Sequence, residues 1–144
     1  MMRSRFLLAA ICLLTASLCA QQPPGPDPIG ENLFPPDLVM IHQKAIGLDE
    51  AQKNYLRAEI LKAQTRFTEL QWQLQDAMEG LVSLLKQNTA DESKVLEQLD
   101  KVLSSEREIK RAQIGLMVRI KNRLTPEQQA RLRQLREESR RPRE

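Results

Sequence analysis

The chain has 144 residues, 28% charged and 3% aromatic, with five glycines, eight prolines, two cysteines and a formal charge of +3. That length suits one domain with one modest core, and so few aromatic residues argue against a sheet of β-branched and aromatic strands. Long amphipathic helices suit the composition, so an all-α fold is predicted.

Arg3 and Arg5 precede an apolar run from Phe6 to Leu18, which ends in Ser17-Leu18-Cys19-Ala20 and the polar Gln21-Gln22. This is the order of a secretory signal, and residues 1–20 are read as a cleaved signal peptide of an exported protein. The run is short for a membrane span. Cleavage after Cys19 or Ala20 fits best; lipidation of Cys19 is the other reading, disfavoured by bulky Leu18 before it. Cys12 and Cys19 both lie in or beside the signal, which leaves the mature chain without disulfide or thiol chemistry. Two of the three excess positive charges leave with Arg3 and Arg5. The remainder is asymmetric: residues 119–144 hold nine Lys/Arg against four Asp/Glu, making the C-terminal end a basic pole.

Residues 21–36 contain too many prolines for helix or central strand and are expected to be an extended segment. A helical hairpin domain is expected over 37–139. Asp37 offers an N-cap to a short helix with Leu38, Ile41, Ala45 and Ile46 on its apolar side, stopping at Gly47. Leu48-Asp49-Glu50-Ala51-Gln52 then forms a capping box. In the long helix that follows, Leu56, Ile60, Ala63, Phe67, Leu70, Leu74, Ala77, Leu81 and Leu84 alternate steps of four and three, a heptad seam that calls for a partner helix. The chain turns at Lys86–Ala90, and Thr89 with Glu92 reads as a second capping box. Leu96, Leu99 and Leu103 continue the seam on the returning helix. Glu106–Arg111 interrupts it, a stretch expected to be solvated, bent or at a subunit boundary, before Ile114, Met117 and Ile120 resume. Leu124-Thr125-Pro126-Glu127-Gln128 is a third box, with Pro126 at the first helical position. It opens a final helix with apolar contacts at Leu132 and Leu135. Residues 140–144 read as a frayed basic tail.

Capping accounts for each Leu-[Thr/Asp]-x-x-Gln box singly but not for their pairing at the two ends of a hairpin. In that pairing the chain resembles the Spy/CpxP family of bacterial periplasmic stress proteins, which carry two Leu-Thr-x-x-Gln motifs around a long helical hairpin. Leu124, Thr125 and Gln128 match the second motif fully. Leu48, Asp49 and Gln52 match the first with aspartate in place of threonine. The resemblance implies a dimeric cradle that binds partly unfolded envelope proteins without ATP, or relays stress to a membrane sensor. Families of periplasmic heavy-metal sensors and resistance proteins resemble the same scaffold and make the alternative function.

Trp72 and Val82 lie off the seam and are candidates for a client or dimer surface, or for packing against the short first helix. Arg131, Arg133 and Arg136 on the last helix join that candidate surface. Export and the lack of interleaved aromatic residues argue against nucleic acid. For metal the only histidine is His42, with Ile46 one turn later. Met40, Glu59 and Met117 do not make up the imidazole or thiolate set that a borderline metal prefers, so no metal site and no cofactor are expected. No nucleophile–base pair or phosphate-cradling glycine loop stands out, and no enzymatic activity is expected.

Overall fold

A computed structural model describes residues 27–141. The expected signal peptide, residues 21–26 of the Pro-rich segment and residues 142–144 of the tail lie outside the described residues. The described chain forms five helices, α1 (Pro28–Asn32), α2 (Pro36–Ile41), α3 (Glu50–Leu85), α4 (Glu92–Arg123) and α5 (Pro126–Arg140), with no strand among them. The fold is all-α, dominated by the packing of α3 on α4.

Three polar contacts fix the antiparallel sense of this hairpin. Near the tip the Gln98 amide donates to the Ala77 carbonyl at 2.8 Å, farther down Arg119 pairs with Glu59 at 2.6 Å, and at the open end Gln52 donates to the Arg123 carbonyl at 2.9 Å. Gly80 permits the first of these close approaches, since a Cβ there would lie 2.6 Å from the Gln98 amide nitrogen. The α3 seam lies as its spacing predicts: Leu56, Ala63, Leu70 and Ala77 are buried and the alternating members half-buried.

On α4 the seam runs one residue earlier than the Leu96/Leu103 spacing suggests. Leu96 and Leu103 are half exposed, whereas Val102 and Leu116 are buried and Val95 and Ile109 half-buried. The series Val95, Val102, Ile109, Leu116 stays apolar through the charged stretch, so the helix need not break there. Glu106, Arg107, Lys110 and Arg111 are exposed on its flanks. Of the three outcomes expected for that stretch, solvation holds, while α4 continues as one 32-residue helix. The tip is also capped differently. Asp91, directly before the helix, accepts from the Lys94 N–H at 3.2 Å and displaces Thr89 as the N-cap.

The part of the 21–36 segment that is described is not extended. Asp27 accepts from the Ile29 N–H and Pro28 occupies the first helical position, where a missing N–H removes no hydrogen bond, so α1 forms despite its proline. Leu33 and Phe34 follow and are buried, Phe34 completely. Pro36 likewise starts α2 one residue before Asp37, which sits in the first turn and does not cap it. The helix ends at His42, so its register is not carried on to Ala45. Val39 is buried instead of Ile41, which is 75% exposed. Ile46 closes the segment before Gly47, whose φ of +63° suits glycine. The Leu48 N–H reaches back to the Gln43 carbonyl and the Gly47 N–H to that of Lys44, a Schellman ending.

The core lies at the open end of the hairpin. Phe34, Val39, Ile46, Leu48, Leu56, Ala63, Leu116, Ile120, Leu124 and Leu132 form one cluster, with Leu38, Tyr55, Phe67 and Leu135 packed against it. Towards the tip only two helices remain.

Candidate functional site

The two Leu-x-x-x-Gln boxes meet in the folded chain. In the first, the Gln52 N–H donates to the Asp49 carboxylate at 2.7 Å and the Asp49 N–H to the Gln52 side-chain oxygen at 3.1 Å. In the second, the Gln128 N–H donates to the Thr125 hydroxyl at 3.2 Å and the Thr125 N–H to the Gln128 side-chain oxygen at 3.0 Å. The two carboxamides then exchange hydrogen bonds. Gln52 Nε2 donates to Gln128 Oε1 at 2.8 Å, and Gln128 Nε2 donates to Gln52 Oε1 at 3.0 Å. The second N–H of Gln52 goes to the Arg123 carbonyl, and that of Gln128 to the Gly47 carbonyl at 3.3 Å.

Each of those carbonyls lies two residues before the cap of its own box, so the arrangement has approximate twofold symmetry. Both donors and both lone-pair sites of each amide are used. Leu48 and Leu124, the first residues of the boxes, are both buried beside this clasp. The pairing of the motifs thus has a structural cause: each box caps its own helix and supplies half of the joint that closes the hairpin. Just inside the helix starts, two acids are held below the usual carboxylate range. For Glu50 the cause is chiefly its hydrogen bond and ion pair with Lys53. For Glu127 it is its own backbone N–H, then the Thr125 hydroxyl.

The basic candidates part company. Arg136 turns inward, donating to the Gly30 carbonyl at 2.9 Å and the Glu31 carbonyl at 3.2 Å, and also to Leu33, with its guanidinium 5.5 Å from the centre of the Phe34 ring. Burial lowers its pKa. Arg131 is exposed and pairs with Glu138 at 3.7 Å. Arg133 is exposed at the rim of a cleft shared with Glu31, Asn32, Arg136, Glu137 and Arg140. Lys121, which sequence reasoning passed over, donates to the Asn32 carbonyl at 3.0 Å.

Trp72 is 68% exposed and Val82 42% exposed. They do not share a surface. Trp72 and Leu61, also exposed, are three turns apart on the side of α3 away from α4. Val82 instead stands with Met78 and Leu85, at spacings of four and three, on one flank of the α3 seam. Leu96, Leu103 and Ile114, at spacings of seven and eleven, occupy the matching flank of α4. In an antiparallel pair these flanks open on the same side of the hairpin, opposite the Gln98–Ala77 and Arg119–Glu59 contacts. The result is a bare apolar face towards the tip. An open groove of about 570 Å³ over Ile114 and Gly115, framed by Arg107, Lys110 and Arg111, continues it along α4. Leu96 and Leu103 are legible as a leucine heptad, but their spacing alone reads as the seam, whereas both are half exposed.

A match to a known family covers residues 6–131 and is described as heavy-metal resistance. The chain belongs to the heavy-metal resistance family. No curated protein and no solved structure matches it. The family description raises the question of a metal centre. His42, half-buried at the end of α2, lines a small cleft with Leu135, Glu138, Ser139 and Arg141. One imidazole and one carboxylate beside a guanidinium make a poor cation site. Among the described residues no group of three or more His, Cys, Asp or Glu converges, so these residues alone do not assemble a metal centre. No described helix is long and apolar enough to cross a membrane.

Proposed function

We propose that this heavy-metal resistance family member works in the periplasm as an ATP-independent chaperone or envelope-stress adaptor that engages proteins, not metal ions, through the bare apolar face of its hairpin. The observation that carries this reading is the alignment of Met78, Val82, Leu85, Leu96, Leu103 and Ile114 on one side of a two-helix layer. Exposed apolar surface gathered on one side in this way marks interaction sites. Cationic side chains around it, with Arg131 and Arg133 at the basic pole, would draw acidic polypeptides at low salt. Trp72 with Leu61, on the outer side of α3, is the candidate dimer contact, and a membrane stress sensor is a further candidate partner. The reading assigns the chain no chemistry of its own.

The test is suppression of aggregation. The purified protein is expected to delay aggregation of a denatured client near stoichiometric ratio, and Leu96→Ser/Leu103→Ser to weaken that delay without loss of helicity. No delay at several-fold excess would sink the proposal.

The family description favours a second reading, a metal-responsive sensor or resistance protein on the same scaffold. Calorimetric titration with zinc, copper, nickel and cobalt separates the two. Micromolar binding abolished by His42→Ala would put the second reading first.

A further inference from the structure

The bare face does not stop where its exposed residues stop. Lys121 lies seven residues after Ile114, which lies eleven after Leu103, which lies seven after Leu96, so all four share one side of α4. Lys121 holds the Asn32 carbonyl at 3.0 Å. The chain's own N-terminal segment is therefore seated at the inner end of the face that stands open towards the tip.

Its hold has two parts. One is a plug: Leu33 and Phe34 are buried, with Phe34 in the cluster of Leu116 and Ile120 against which Phe67 packs. The other is a grip whose hydrogen bonds all go to main-chain carbonyls, those of Gly30, Glu31 and Leu33 by Arg136 and that of Asn32 by Lys121. The five-residue α1 buries none of its own side chains and is far too short to persist alone. Contacts to carbonyls are indifferent to sequence, and Pro28, Pro35 and Pro36 reduce the freedom the segment gains when it lifts off.

We infer that residues 28–34 are a strap occupying in cis the inner half of a polypeptide-binding face, and that release of the strap lengthens the face available to a partner chain. The strap rests on the protein-binding reading only for the identity of what replaces it. A competing segment of similar chemistry, an aromatic plug preceded by a backbone free to accept from Lys121 and Arg136, would take its place.

Two release variants and one locked variant test this. Phe34→Ala removes the plug and Lys121→Ala one of the grip's four carbonyl contacts, with Arg136 and the clasp residues unchanged. Each is expected to speed hydrogen exchange of amides 29–34 about tenfold and to raise binding of a hydrophobic dye about twofold or more, with helicity retained. The locked form carries Asn32→Cys and Lys121→Cys, joined by a short thiol cross-linker, with Cys12 and Cys19 changed to serine. It is expected to bind less dye than the same protein before cross-linking. Faster strap exchange with no gain in dye, or locking with no loss of it, overturns the strap. A gain in dye without any gain in protection of a denatured client sustains the strap and tells against the protein-binding function.

Discussion

The two ends of the hairpin are built on opposite terms. At the open end, α1, α2 and α5 close over α3 and α4, and every polar group of the clasp has a partner while Phe34, Ile120 and Leu132 lose all contact with solvent. At the tip the same two long helices have only each other, and large apolar side chains stay half exposed. A single helix–helix seam buries one stripe per helix, so a two-helix arm leaves its flanks uncovered. The contrast teaches that stability and exposed apolar surface are segregated along one pair of helices, with the closed end able to carry an arm whose apolar flank remains free.

The largest expected effect sets the ends against each other directly. Ile120→Ala should destabilise by about 3–4 kcal/mol in urea unfolding, whereas Leu103→Ala should change stability by no more than about 0.5 kcal/mol. Equal costs would erase the contrast. Next comes the clasp: Gln128→Ala should lose about 2–3 kcal/mol, because it strands the Gln52 amide and the Gly47 carbonyl. The double variant with Gln52→Ala should be less destabilised than the sum of the single changes by about 1 kcal/mol or more.

The phase of α4 is sharpened by neighbours in sequence, since Val102→Ala should cost about 1–2 kcal/mol and Leu103→Ala next to it almost nothing. The smallest effect is in acid. Glu50 and Glu127 have depressed carboxyl pKa values in the folded state, so they favour folding at neutral pH and that contribution fades as pH falls through the lowered values, below the ordinary 4.5. Glu127→Gln should slightly flatten the fall in thermal midpoint over that acid range, and an unchanged slope would remove Glu127 from the closed end's support.

Much of the closed end could be read from sequence because its devices are local. A box such as Thr125-Pro126-Glu127-Gln128 is satisfied within four residues, and the α3 seam repeats without a break from Leu56 to Leu84. What could not be read is what depends on distant partners. Two heptads overlap on α4, and leucines at 96 and 103 looked more core-like than valines at 95 and 102. The deciding evidence is Ile109, which keeps the valine series apolar through Glu106–Arg111. The prolines of the N-terminal segment read as breakers, although Asp27 and Pro28 together make a helix start. The exchange between Gln52 and Gln128 joins residues far apart in the chain, and neither box alone announces it.

The saturation of that amide pair separates the joint from whatever the protein binds. Two glutamines that consume all of each other's hydrogen-bonding capacity have none left for an ion, a client or a sensor. Their contribution is closure of the scaffold. A change confined to the arm would therefore leave this joint as it is, and the two boxes mark the architecture while remaining silent about trade.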